Sequence, residues 1–424
     1  MAEALATPRH DRSVHGGLPR FDPVGPELFA DPYPVYARYR RDEPVHWGLS
    51  ALAGFPGAWY VFRHADVQTV LKDDRFGKAR RQVSYGSDPA AASAVPEQAR
   101  GYLETARQWI AHKDAPEHDR LKDALWPHFT AGAADRLRPS IARVAEGLLD
   151  EVATGAALDV VADYAARLPF HVICAVVGVP AADRPRFEDW SAAMRAVGLR
   201  TSATVWTAAS DAAHEAGAYL ADLVARRRRE PADDLAGALV AARDAGAFVS
   251  DEELAANLLF VIYAAAGLFT TTALVASGVH LLLTHPDQRA ALMADPALIA
   301  NAVHEVLRVE PPLQLTNRIA RVDVTMDGRT VEAGASVLAV LASANRDPEI
   351  HDEPDRFDIT RRRRPHHTFS AGVHTCFGGP LASVQGEVAI AAILRRHPRL
   401  DLAGPATWTP TGSLRLLQHL PVSP

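Results

Sequence analysis

At 424 residues, 48% of them hydrophobic and 23% charged, the chain has ordinary globular composition and enough apolar material for a large core. A formal net charge of −6 and a pI near 6.3 exclude the basic footprint that a nucleic-acid binder needs. Cys174 and Cys376 lie far apart and form neither a disulfide framework nor a CxxC pair. Met1 to Leu18 is polar and charged, without the apolar stretch of a secretory signal, so a cytoplasmic protein is expected. No Gly/Ser linker, long charge block or internal repeat marks a boundary. The expectation is one domain over 1–424, with 1–20 as a flexible N-terminal segment.

In chain order, Asp31 to Arg41 reads as a short helix after a proline-rich entry, and Trp59 to Phe62 as a strand. Ile141 to Val152, Leu168 to Val177 and Ala216 to Arg228 have helical spacing. The third ends in Arg226 to Arg229 followed by Pro231, a run that suits a solvated helix C-terminus. Ser250 and Glu253 have the spacing of a capping box. From there a helical pattern runs without proline to His285, about 50 Å at ~1.5 Å per residue, and Pro286 ends it. A further helix runs from Pro296 to Val309. Strand and turn signals follow at Val322 to Met326, Asp327–Gly328, Val331 and Ser336 to Leu341. Asp347 to Phe369 reads as irregular, and a last long helix spans Pro380 to Arg396. The class is mainly α with a small β portion.

Leu258 to Leu283 carries no formally charged residue and is long enough to span a bilayer. It also holds Thr270, Thr271, Thr272, Ser277 and His280, and its flanks are acidic rather than cationic. A helix buried inside the protein, with no membrane, is the reading taken.

The chemistry concentrates in Phe369-Ser-Ala-Gly372-Val-His374-Thr-Cys376-Phe-Gly378-Gly-Pro380. A cysteine stands in a Gly-punctuated loop directly before a helix, with Pro380 placed for its first turn. The free N–H groups and positive dipole end of that helix favour the thiolate, the form that binds metal. Gly378 is expected to let backbone amides approach the sulfur, Gly372 to permit the preceding turn, and Phe369 to cover a ligand with a flat apolar face. Three readings compete: a structural cysteine, a zinc site built from His366, His367, His374 and Cys376, and a haem-thiolate loop. No paired ligand spacing supports zinc.

The pattern FxxGxHxCxG is met in full, and with it the chain resembles the bacterial soluble cytochrome P-450 family. Glu305-Val-Leu-Arg308 is similar to the family's ExxR helix, and Pro354-Asp-Arg356-Phe357 to the meander whose arginine joins a buried triad. The resemblance extends to Asn345-Arg-Asp-Pro348, to Ala115 to Lys122, to Leu168 to Pro180 and to His285-Pro-Asp-Gln288. It implies the cytochrome P-450 fold, with the long central helix over a buried haem b (iron protoporphyrin IX). It further implies Cys376 as the iron ligand and Glu305, Arg308 and Arg356 as the structural triad. Arg318, His118 and His374 would hold haem carboxylates, with Phe369 and Gly378 at the cofactor. Lys122 stands where the family usually has arginine, keeping the charge but losing the bidentate fork. Ser383 stands where the family often has arginine, which removes one cationic site.

Ala265-Ala266-Gly267-Leu268-Phe269-Thr270-Thr271 resembles the oxygen-activation motif AGx(D/E)TT. Small residues let a helix pass close over the cofactor, and a Thr hydroxyl bonding a nearby carbonyl loosens it. Ala266, Gly267 and Thr270 are kept, but Phe269 replaces the acid and cannot carry a proton.

The resemblance implies a haem-thiolate monooxygenase that inserts oxygen into a small organic molecule in bacterial secondary metabolism. With no flavin or dinucleotide segment and no convincing GxGxxG, electrons would come from a ferredoxin and ferredoxin reductase. Arg361 to Arg364 are candidates for docking the ferredoxin. Two alternatives stay open: atypical chemistry (aromatic coupling, cyclisation, nitration or peroxide-driven oxidation), because of Phe269, and a non-catalytic haem sensor. Substrate contacts are expected from Arg80, Arg81, Tyr85, Trp206, Tyr263, Leu313 and Leu315 and from the turn near Gly412–Ser413. Tyr85, Trp206 and Phe269 point to an aromatic substrate, and Arg80 and Arg81 to a carboxylate on it.

Overall fold

The computed structural model describes residues 17–50, 57–78, 96–152, 157–197, 202–267, 269–409 and 413–423. Helices dominate, as the periodicities predict. The predicted helix at Asp31 to Arg41 forms over Tyr33–Asp42, and those at Ile141 to Val152 and Leu168 to Val177 over Arg138–Asp150 and Arg167–Val177. Six helices place the site: α1 (Glu117–Leu125), α2 (Ala203–Arg229), α3 (Asp251–Ile262), α4 (Thr270–Thr284), α5 (Ile299–Val309) and α6 (Gly379–Arg396).

α2 starts on Ser202, whose hydroxyl accepts the Val205 N–H. It ends in the predicted arginine run, part of which is tied down: Arg227 pairs with Asp234 at 2.6 Å and Arg228 with Asp251 at 2.7 Å. α3 starts on the predicted cap. Ser250 Oγ accepts the Glu253 N–H at 3.1 Å, and Glu253 reaches back to the Val249 N–H at 2.8 Å and to Arg120.

The predicted continuous helix from Ser250 to His285 does not form. α3 stops at Ile262, a π turn covers Tyr263–Gly267, and Phe269 takes the left-handed conformation with φ 56° before α4 begins. Ala264 and Ala265 of this turn line a cavity, while Tyr263 is buried against Trp109. Val160–Val177 and Asp251–Thr284 are long and apolar enough to cross a bilayer, yet 56% and 67% of the most apolar 18-residue stretch of each is buried inside the protein. Their apolar surface belongs to the core.

Five strands form one sheet: β1 (Val45–Gly48), β2 (Ala58–Val61), β3 (Phe76–Gly77), β4 (Thr316–Ala320) and β5 (Ser336–Ala339), in the order β1-β2-β5-β4-β3. β2 and β5 run parallel and the other pairs antiparallel. Val324–Met326 and Arg329–Val331 form a separate hairpin, with Asp327 and Gly328 both at positive φ as a two-residue turn requires. The large core cluster lies among the helices, and two smaller ones flank the sheet.

Candidate active site

Cys376 and Cys174 occupy opposite environments. Cys174 is fully buried in the apolar core, which pushes its thiol up to about 12 and makes it inert. Cys376 lines a cavity, and its surface opens there. Burial raises its thiol, while the N–H groups of Gly378 and Gly379 at the start of α6 act the other way. The Cys376 N–H donates to Phe369 O at 2.8 Å, closing the loop under the sulfur. Gly372 has φ 73°, and a Cβ there would meet Leu71 O at 2.6 Å, so this turn admits only glycine. Gly378 differs from expectation. A Cβ there would sit 3.8 Å from Cys376 Sγ, an ordinary contact, so crowding at the sulfur does not explain the residue.

The zinc alternative fails on geometry. Among the described residues no group of three His, Cys, Asp or Glu side chains comes close enough to hold a metal. His366 packs on His304, His367 on His64 and His374 on His118.

The cavity holds about 1360 Å³ of empty space, its mouth included. α3, the π turn and α4 supply Phe260, Ala264, Ala265, Thr270, Thr271 and Leu274 to its lining. The cysteine loop and α6 supply Phe369, Phe377, Gly378 and Leu381, while Leu313 and Thr316 precede and open β4. Set into this apolar wall are Lys78, His118, Arg318 and His374, and no Asp or Glu lines it among the described residues. Arg318 is 1% exposed and donates to Asn317 O and Ser370 Oγ. Burial lowers its guanidinium to about 10. His374 is pushed down to about 4 by burial, with Nε2 3.5 Å from Asp114 Oδ1. A large apolar cavity with a thiol in its lining and bases in its wall fits a planar, apolar, dianionic group such as haem.

Several expected residues stand elsewhere. Lys122 does not line the cavity: its Nζ donates to Val373 O at 3.1 Å and sits over Trp126. Lys78, which the motif gave no reason to choose, lines it instead. Arg356 is not the third side chain of the triad. Arg308 grips both Glu305 oxygens at 2.7 and 2.8 Å, and Arg361 Nε adds a bond to Oε1 at 3.1 Å. Glu353 at φ 44° turns the chain so that Arg356 points outward, pairs with Glu353 and contributes only its carbonyl to Arg308. With Arg361 half-buried and tied into that network, the docking run shrinks to Arg362, Arg363 and Arg364, which are exposed.

Phe269 is half-buried and absent from the lining, its ring 3.9 Å under the Arg195 guanidinium. Tyr263 and Trp206 belong to an aromatic cluster with Tyr102 and Trp109 beside the cavity rather than in its wall. Leu313 lines the cavity, whereas Leu315 is buried in the cluster of Phe21 and Tyr36 on the sheet. Leu414 bridges Leu313, so the C-terminal turn reaches the same neighbourhood. The backbone of Ala266 and Gly267 lies in the π turn. Arg80, Arg81, Tyr85, Leu268 and Gly412 lie outside the described residues. Ser383 donates to Gly379 O within α6.

The sequence matches the cytochrome P-450 family over residues 94–398. It is 39% identical over 371 residues to the mycinamicin IV hydroxylase/epoxidase of Micromonospora griseorubida, covering 86% of this chain and 89% of that one. It is 34% identical over 408 residues to the polyketide biosynthesis cytochrome P-450 PksS of Bacillus subtilis, covering 95% and 98%. The crystal structure of CalO2 superposes with a TM-score of 0.86 at 34% identity, covering 96% of this chain and 99% of that one. Relatives named as hydroxylases, among them the mycinamicin IV hydroxylase/epoxidase and the vitamin D(3) 25-hydroxylase of Pseudonocardia autotrophica, show the chain to be an oxidoreductase. It belongs to the family of bacterial soluble cytochromes P-450.

Proposed function

We propose that this protein is a cytoplasmic haem-thiolate monooxygenase, built as one domain, that oxidises a small organic molecule in bacterial secondary metabolism. The observation that carries the reading is the Cys376 thiol, set in a large apolar cavity and met by two backbone N–H groups. Haem b is the group this cavity suits: Cys376 would hold its iron, and His118, Arg318 and His374 would hold its carboxylates. When bound, a thiolate-ligated haem supplies dioxygen activation and favours O–O cleavage.

The chain's own residues do the rest. Ala264 and Ala265, in the π turn, bring only methyl groups to the cavity wall. Thr270 and Thr271 place hydroxyls at that wall, where they can hold a proton or a water. Leu313, Phe260 and Leu274 give an otherwise apolar surface for a substrate of the kind that the relatives' names describe. Electrons come from a separate ferredoxin and reductase, and Arg362, Arg363 and Arg364 offer it a cationic face.

The test is the absorption spectrum of the reduced, carbon-monoxide-bound protein. A strongly red-shifted Soret band that is lost in Cys376→Ser is expected. No haem band, or an unshifted one in freshly purified protein, would overturn the reading.

One observation favours a second reading, atypical oxidation. Phe269 holds a cation where the family motif holds an acid, so a carboxylate route for protons is missing there. Phe269→Asp is expected to change product identity or raise product formed per electron pair several-fold. Unchanged product and coupling would remove this second reading and leave ordinary oxygen insertion.

A further inference from the structure

Lys78 directly follows β3, whose pairing with β4 (Phe76↔Ala320, Gly77↔Ile319) brings it beside Thr316 and Asn317. Its Nζ lies 3.3 Å from Thr316 Oγ1 and 3.1 Å from Asn317 Oδ1, both neutral acceptors. It lines the cavity together with Arg318, His118 and His374. Asp114 is the nearby carboxylate, and it is already shared. It pairs with Arg321 at 2.8 Å, accepts the Lys78 backbone N–H at 2.9 Å and lies 3.5 Å from His374. Among the described residues Asp114 is the one carboxylate that faces both Lys78 and Arg318, and it is shared with the exposed Arg321. Buried cations short of countercharge create a place for an anion.

We propose that Lys78 is an anion-holding residue of the cofactor site, donating with Arg318 to a haem carboxylate in the role expected of Lys122. Burial and the neighbouring Arg318 push the Lys78 amine down to about 7, and a bound carboxylate favours its charged form. Lys122, engaged with Val373 O and Trp126, has no part in this contact. The assignment rests on the haem-thiolate reading above.

The experiment uses the purified holoenzyme and follows haem transfer to excess apomyoglobin through the Soret band at pH 7.5. Lys78→Met is expected to lose haem about tenfold faster than wild type, while Lys78→Arg stays within about threefold. Lys78→Gln keeps a polar group toward Thr316 and Asn317 without the charge, and is expected to match Lys78→Met. Lys122→Met is expected to stay within about threefold of wild type. Wild-type retention in both Lys78→Met and Lys78→Gln would overturn the proposal, as would a loss in Lys122→Met as large as theirs. The carbon-monoxide spectrum of the wild type separates the two levels. If the red-shifted band is absent, the haem-thiolate reading falls. If it is present and the Lys78 variants hold haem normally, only the Lys78 assignment falls.

Discussion

Glu305 is 2% exposed, and its charge is tolerated because Arg308 and Arg361 both meet it. Removing one partner of a buried pair leaves charge uncompensated, a loss of ~3–5 kcal/mol for a sole partner. Arg308 remains when Arg361 is removed, so Arg361→Ala is expected to cost about 2 kcal/mol. It also frees the carbonyls of Asp352, Glu353 and Arg356, which hold the meander together. Arg356→Ala is expected to change stability by less than ~0.5 kcal/mol, because its side chain is exposed where it pairs with Glu353 and faces Asp358. Urea unfolding of the two variants separates these outcomes, and equal losses would restore Arg356 to the triad. The same scale governs Phe269. A cation over an aromatic face contributes ~1–2 kcal/mol where partly desolvated, similar to the ~1–2 kcal/mol cost of a left-handed non-glycine residue. Arg195 thus offsets the strain that ends the π turn.

Among the elements, α4 and α6 come together through glycines. A Cβ on Gly278 would meet Ile390 Cδ1, and one on Gly386 would lie 2.9 Å from Leu274 Cδ2. Leu274 lines the cavity, so this close approach fixes how near α4 comes to the cysteine loop at the start of α6. Overpacking costs ~1–3 kcal/mol, which outweighs the ~1 kcal/mol of helix propensity that replacing glycine returns. Gly278→Val is therefore expected to destabilise by about 2 kcal/mol. Gly217 lies inside α2 with no atom of the described residues within 4 Å of an added Cβ. Gly217→Ala meets the propensity gain alone and is expected to stabilise by ~0.5–1 kcal/mol. Thermal unfolding of the two variants checks the contrast, and destabilisation by Gly217→Ala would mean that its helix face is covered.

Across the whole molecule, what was legible in the sequence is what neighbouring residues decide. The cysteine loop, the Ser250 cap, the Asp327–Gly328 turn and the apolar runs of β2 and β5 each follow from a few adjacent side chains. The break between α3 and α4 was not legible. Tyr263 to Phe269 contains no proline, and its Ala-rich composition reads as continuous helix, while tertiary packing and the Arg195 contact set the π turn. Lys78 and Asn317 are 239 positions apart and meet only because β3 pairs with β4, which no local pattern announces. Folding also gathers histidines that lie apart in the chain: His64 with His367, and His304 with His366, with His351 nearby. Burial holds His351 at about 4 and His366 and His367 at about 3; Arg308 adds to the shift of His351, and neighbouring histidines add most to the other two. Their ordinary value is ~6.5, so below that pH the unfolded chain binds protons that the folded one does not. Stability is then full above pH ~6.5 and falls as pH drops toward the folded values, by on the order of 1 kcal/mol per histidine per pH unit. Salt-bridged carboxylates contribute only at lower pH, so the limb between pH ~6.5 and ~5 reports the histidines. Among the described residues neither ring nitrogen of His351 has a hydrogen-bond partner, so His351→Leu removes a titrating group without breaking a bond to them. Urea unfolding at pH 7.5, 6.5, 5.5 and 4.5 is expected to show a shallower acid limb in that variant than in the wild type. Identical limbs would mean that His351 is charged, or reached by water, in the folded protein.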